Sequence, residues 1–319
     1  MNLWRMVATR IALGVVTLLL VSMVIYLVVG ILPGDIAVEV LGRNSTAQAR
    51  HLFDLRLHLN EPLWDRYAQW LGGFVRGRFG ESITTGSSVR SLIMPALSAS
   101  ARLSAFALVL YVPITLTMAL VGAVWSGRTP DSVTSTLTLI GLSLPDFVIG
   151  TILIVLFAVV VHWFPAIAGA GNESFWATLR AITLPAVTLA AVMSAYSARM
   201  LRSSLIEVLQ SQFIRTATLK GTSHWRVIFR HALPNAIVPT LNVTALNLTY
   251  LIGGVVVVEV VFSYPGLGQL LVNSIAIRDI PVVEAATLIA SGIYIAANVL
   301  SDVVAVLVTP RLRYAQGGH

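Results

Sequence analysis

The chain has no cysteine and, in Lys220, a single lysine. Without cysteine there are no disulfides, no thiolate metal sites and no cysteine nucleophile, so any exported part is held together by packing alone. Charge is scarce too: 11% of the 319 residues are Asp, Glu, Lys or Arg, against about 25% in an ordinary soluble domain. Much of the surface therefore does not face water. Catalytic signatures are also missing. No G-x-x-x-x-G-K-[ST] loop occurs to cradle nucleotide phosphates, and there is no H-E-x-x-H, G-x-S-x-G or S-x-x-K. The six histidines are His51, His58, His162, His224, His231 and His319. Only His224 and His231 sit two helical turns apart, and no carboxylate is placed to join them in a metal site.

What is present is apolar length: 56% of the residues are hydrophobic. A helix needs roughly 20 apolar residues to cross the hydrocarbon core. The first candidate covers 11–32 without a charge and follows Arg5 and Arg10. It is longer than the core of a signal peptide and runs into Pro33, Gly34 and Asp35 rather than a small-residue cleavage site, so it reads as an uncleaved anchor. Further spans are expected at 101–125, 135–163, 184–205, 236–262 and 283–308, giving about six. Pro113, Pro145, Pro185 and Pro239 interrupt several of them, which membrane helices tolerate when neighbours satisfy the freed carbonyls. Between the first two spans lies a more polar stretch. Its Leu, Trp, Tyr and Phe spacing predicts short amphipathic helices near an interface.

Basic residues set the orientation. The net charge is +7, but the arginines cluster at span ends rather than in a nucleic-acid footprint, so no nucleic-acid partner is expected. Arg5 and Arg10 precede the first span, and Arg311 and Arg313 follow the last. The segment after the fourth span carries Arg199, Arg202, Arg215, Lys220, Arg226 and Arg230 against a single Glu207. The short segments opposite offer only Arg180 and Arg278. Both termini and the basic loop are thus expected on the cytoplasmic side. Three acids lie close to spans, where ionisable groups are costly and often functional: Asp146, Glu259 and Asp302. Each reads either as an interhelical or interface hydrogen-bonding group or as a lining of a translocation path or gate.

The basic loop reads QFIRTATLKGTSHWRVIFRHALPNAIVP from Gln212 to Pro239. Residues 215–220 suit a short helix, Gly221 supplies a positive φ to close it, and Thr222 or Ser223 can cap the next. Pro234 ends that second piece or opens the following span. Residue chemistry alone leaves open whether the loop meets anionic lipid or docks a cytoplasmic protein.

This loop resembles that of the membrane permeases of binding-protein-dependent ABC importers, which follow the pattern E-A-A, three residues, G, nine residues, I-x-L-P. Ala217, Gly221, Leu233 and Pro234 match the pattern. Arg215, Thr216 and His231 depart from it, and the R-T-A…K-G…R-H-A-L-x-N form is similar to the oligopeptide, dipeptide and nickel branch. Other landmarks follow in order: Leu32 to Asp35, Pro62-Leu63, Gln69-Trp70-Leu71, Gly77 to Gly80, Ser143-Leu144-Pro145 and Leu184-Pro185-Ala186. Glu259 with Phe262-Ser263-Tyr264-Pro265-Gly266-Leu267-Gly268 resembles the family's E-x-x-F-S-[WY]-P-G-L-G. Pro310-Arg311-Leu312-Arg313 resembles its terminal D-P-R-[IL]-R, with Thr309 in place of Asp.

The resemblance implies an all-α membrane protein of about six transmembrane helices with an ABC-importer-type permease core. Its expected organisation is an anchor helix at 1–32, a structured exported loop at 33–99, a five-helix core at 100–308 and a cytoplasmic tail at 309–319. The core contains a cytoplasmic coupling loop at 205–235. The coupling residues implied are Arg215, Thr216, Ala217, Lys220, Gly221, His231, Leu233 and Pro234. The partners implied are a second homologous permease, two ABC ATPase subunits that carry ATP and Mg, a periplasmic or extracellular solute-binding protein, and membrane lipid. No catalytic residue, metal or cofactor is expected on this chain itself. The competing class is a self-contained secondary transporter or channel, which would need more buried ionisable groups and no ATPase; a non-transporting scaffold leaves the ordered landmarks unexplained.

Overall fold

The computed structural model describes residues 3–31, 62–168 and 174–308, together with 46 and 48. The landmarks at 32–35 and 310–313, the exported stretch before residue 62 apart from 46 and 48, His51, His58 and His319 lie outside the described residues. Within them every regular element is helical. In hydrocarbon the backbone must satisfy its own N–H and C=O groups, and a helix does so within one segment.

The elements, in chain order, are α1 (Leu3–Ile31), α2 (Leu63–Val75), α3 (Val89–Val124), α4 (Thr129–Ser143) and α5 (Asp146–Leu153), which widens into a π-helix at Ile154–Val160. They continue with α6 (Phe175–Leu209), α7 (Gln212–Leu219), α8 (His224–Arg226), a second π-helix at Val227–Ala232, α9 (Leu233–Val261), α10 (Leu267–Ala276) and α11 (Ile280–Val308). Five of these are long and apolar enough to cross a membrane; α4 and the α5 segment reach that length and apolarity only together, across a 119° bend. The break falls at Leu144-Pro145, where proline cannot donate to the preceding turn.

α6 sits at the centre, packed against α3, α4, α5 and α9, while α11 joins α9 and carries α1 at the rim. The apolar window of α6 is 72% buried and that of α1 only 17%, so α1 is a peripheral helix whose Leu13, Leu20 and Val24 face outward. α6 reaches the centre because its buried positions include Ala181, Ala186, Ala190, Ser194, Ala195, Ser197 and Ala198. Small side chains let neighbouring backbones approach closely where apolar burial alone gives no advantage over lipid. The main core gathers Leu103, Tyr111, Leu189, Met193, Val258 and Phe262 from α3, α6 and α9.

α3 begins at Val89 rather than near Ala101. Pro95 lies within its second turn, where it removes the hydrogen bond that position would donate to the Ser91 carbonyl. The amphipathic α2 leans on α1 through a run of rings, Tyr26–Tyr67 at 5.5 Å, Tyr67–Trp70 at 6.1 Å, Trp70–Phe74 at 5.9 Å and Phe74–Phe79 at 5.0 Å. The turn that follows is tied to the corner before α11. The Asp279 carboxylate accepts from the Ser82 hydroxyl, from the Ile83 N–H at 3.1 Å and from Thr84 Oγ1 at 2.7 Å.

Candidate coupling loop and membrane interior

The basic loop folds as two short helices joined at a sharp turn. α7 ends at Leu219, and Gly221 turns the chain at φ +78. A side chain there is strained by its Cβ, so glycine suits the position. Ser223 occupies the position before α8, but its hydroxyl makes no capping hydrogen bond. α8 passes through the π-turns into α9, and Pro234 stands where the π-turns give way to α9, removing one backbone donor from a continuous helical run.

The loop is anchored from within. Ile214, Val227 and Ala232 are buried against Ala119, Ala123, Leu201, Leu205 and Ala236 at one end of α3, α6 and α9. Of the expected coupling residues, Arg215, Thr216, Lys220, Gly221 and Pro234 are exposed, while Ala217, His231 and Leu233 are half-buried. Packed side chains therefore join the loop to three long helices. The motif did not point to the exposed apolar residues among these charges. Leu219 is 88% exposed, and Phe213, Trp225 and Phe229 are about half exposed. Trp225 and Phe229 stack at 6.0 Å. Their signal in the sequence was apolar bulk inside a basic, span-flanking segment. His224 rests edge-on against Trp225, and no cluster of three or more metal-ligating side chains occurs among the described residues.

The three acids have different surroundings. Glu259, near the far end of α9, is fully buried. Its carboxylate accepts from Ser100 Oγ at 2.5 Å, the Gly268 N–H at 2.7 Å and the Gln269 N–H at 3.3 Å. It thereby holds the start of α10 against α3 and α9, where negative charge also meets the positive end of a helix. Ser100 closes the ring by accepting the Leu267 N–H at 2.8 Å, and Tyr264 donates to the Ala99 carbonyl at 3.0 Å. A Cβ at Gly266 would overlap the Glu259 carboxylate, and one at Gly268 would lie 2.6 Å from Val256 Cα. The E-x-x-F-S-Y-P-G-L-G run is thus one interlocking clasp.

Asp302 pairs with Arg10 at 3.1 Å, joining α11 to α1 at a partly exposed position. Asp146 opens α5 just after the break, is partly exposed, and accepts one hydrogen bond, from Tyr250 Oη at 3.0 Å. The three acids do not converge on a common point.

Two further polar groupings emerged only from the fold. Arg202 of α6 holds Asp131 of α4 in a two-pronged pair, Nε–Oδ1 at 2.6 Å and Nη2–Oδ2 at 2.7 Å. Deeper in the bundle, Tyr111 Oη donates to Ser197 Oγ at 2.8 Å. Asn247 Nδ2 donates to the same Ser197 Oγ at 2.9 Å and to the Met193 carbonyl at 3.1 Å. Nothing in the local sequence connects residues on α3, α6 and α9.

Long apolar helices around a largely hydrogen-bonded interior, with a basic loop packed against one end of the bundle, define a polytopic helical membrane protein. Comparison with known families identifies it further. The family described as binding-protein-dependent transport system inner membrane component matches residues 111–314, and its N-terminal counterpart matches residues 3–119. The chain belongs to this family and is an importer permease. It is 36% identical over 306 residues to the probable peptide ABC transporter permease protein y4tP of Sinorhizobium fredii (strain NBRC 101917 / NGR234), covering 96% of this chain and 98% of that one. It is 34% identical over 298 residues to the glutathione transport system permease protein GsiC of Escherichia coli (strain K12), covering 93% and 95%. GsiC of Shigella flexneri serotype 5b (strain 8401) is similar to the same extent. Permeases of this family work with ATPase and solute-binding partners and are inner-membrane proteins.

Proposed function

We propose that this chain forms half of the translocation path of an importer for peptides or peptide-like small solutes and couples that path to ATP hydrolysis on other subunits. A second, homologous permease supplies the other half. Two ATPase subunits, which bind the ATP and Mg, dock beneath the loop at 205–235, and a solute-binding protein delivers cargo from outside. Both termini lie in the cytoplasm, in keeping with the arginines at span ends. The names of the relatives, one a peptide and one a glutathione permease, support the solute class; the nickel branch shares the loop variant.

The observation that carries this reading is the loop itself: exposed along its rim, apolar at its tip, and packed from behind into α3, α6 and α9. Nucleotide-driven movement of the ATPases shifts the loop, and differential binding in two states converts that shift into alternating access. Gly221→Val places a β-branched side chain at a positive φ, where it is strongly disfavoured. In proteoliposomes holding the full transporter, the variant is expected to hydrolyse ATP while uptake falls by about tenfold or more. Normal uptake would overturn the coupling assignment, and uptake by this chain with no ATPase present would overturn the importer reading as a whole.

A further inference from the structure

The geometry points to Asp146 and Tyr250 as a recognition site for a protonated amine, at the break between α4 and α5. This rests on the reading that Asp146 borders the translocation path and adds the chemical group that the path selects there.

Depth comes first. The Asp146 carboxylate touches Tyr250, and a Cβ at Gly254 would lie 3.3 Å from its Oδ2. Tyr250 lies one position past the centre of the expected span 236–262, and Gly254 one turn beyond it. The carboxylate therefore lies well inside the length of that span, at the 119° break between α4 and α5. Broken helices at this depth are where membrane transporters place polar groups for cargo.

Its neighbours do not use it. Pro145, not Asp146, takes the cap position of α5, and no N–H of that helix is capped by a side chain. Arg202 holds Asp131, Arg10 holds Asp302, and the ring of donors closes Glu259. Asp146 has no cation among the described residues, and its only hydrogen bond comes from a tyrosine. A carboxylate in that position is costly against lipid. Beside it α9 presents an open face of Leu246, Tyr250, Gly253, Val257 and Val260, and a Cβ at Gly253 would meet nothing within 4 Å. An uncompensated acid, a phenol and open space suit an organic ammonium group. The carboxylate supplies charge, the ring a cation-tolerant face, and Gly253 room.

The cysteine-free chain makes this testable. Gly253→Cys lies one turn from Tyr250 on the same face. Membranes carrying the whole transporter are treated with two methanethiosulfonates, one bearing a trimethylammonium group and one a sulfonate. Labelling of this chain is read against each reagent's rate with a free thiol. The cationic reagent is expected to react about tenfold faster, with Asp146→Asn removing the preference and Asp146→Glu retaining it. A preference that survives Asp146→Asn, or one that Asp146→Glu removes as fully as Asp146→Asn does, would overturn the amine site while leaving a water-filled path. If neither reagent reacts, the site is not on the path, and the reading beneath the proposal falls with it.

Discussion

At the scale of single residues, Glu259 and Gly266 show how a linear motif can encode one buried contact. The carboxylate fills the space that a side chain at position 266 would occupy, so the two residues are coupled sterically as well as through the α10 N–H groups. Glu259→Ala strips the acceptor from the buried Gly268 N–H, an omission costing about 1–3 kcal/mol. Gly266→Ala should be worse, because the added methyl collides with a buried carboxyl group that has nowhere to go. The two together are expected to be less harmful than their sum, since removing the carboxylate vacates the space the methyl needs. Thermal unfolding of the detergent-solubilised single and double variants checks this; strict additivity would show that the clash is relieved elsewhere. The motif was legible in the sequence, but the reason for its two glycines needed coordinates that bring positions 100, 259 and 266 together.

Among the elements, the pairing of α4 with α6 is the part that sequence reading could not supply. Arg202 counted there only as one of several positive charges facing the cytoplasm, whereas in the fold it is committed to Asp131 at 2.6 and 2.7 Å. Seventy-one positions separate the two, so no local pattern joins them. The spans themselves were legible because hydrocarbon imposes length and apolarity on each one independently. Pro145 announced a break, yet neither the 119° bend nor the two π-helices follow from local propensity, because both depend on what the helices pack against. Arg202→Ala leaves the Asp131 carboxylate, 9% exposed, without its cation. Removing one partner of such a pair typically destabilises by about 3–5 kcal/mol in a buried site. Exposure of the arginine places the expected loss at or below the lower end. Exchanging the two as Asp131→Arg with Arg202→Asp should recover part of the loss, measured as transporter abundance in the membrane and melting temperature in detergent. No recovery would mean that Gly122, whose Cβ position lies 2.8 Å from Arg202 Cδ, fixes the guanidinium on its own helix.

For the molecule as a whole, the proposed coupling requires that an event at the loop reach groups inside the bundle. The packed route runs from the loop into α6 and α9, which also carry Ser197, Asn247 and Tyr250. Such a route transmits force only if the loop is gripped from outside, and Leu219 is placed for that grip: it is 88% exposed at the tip, while Ile214 on the opposite side of the same helix is buried. A leucine so exposed next to Lys220 and Gly221 contributes nothing to this chain's own core, so replacing it should leave the fold intact. Leu219→Asp puts a charge where an apolar socket on an ATPase would have to bury it, a mismatch worth several kcal/mol at a docked interface. The variant is expected to accumulate normally, to bring down far less ATPase when purified through a tag on this chain, and to lose most uptake. Retention of the ATPase at the wild-type ratio would place the grip on the Trp225–Phe229 stack instead, the other exposed apolar surface on the loop.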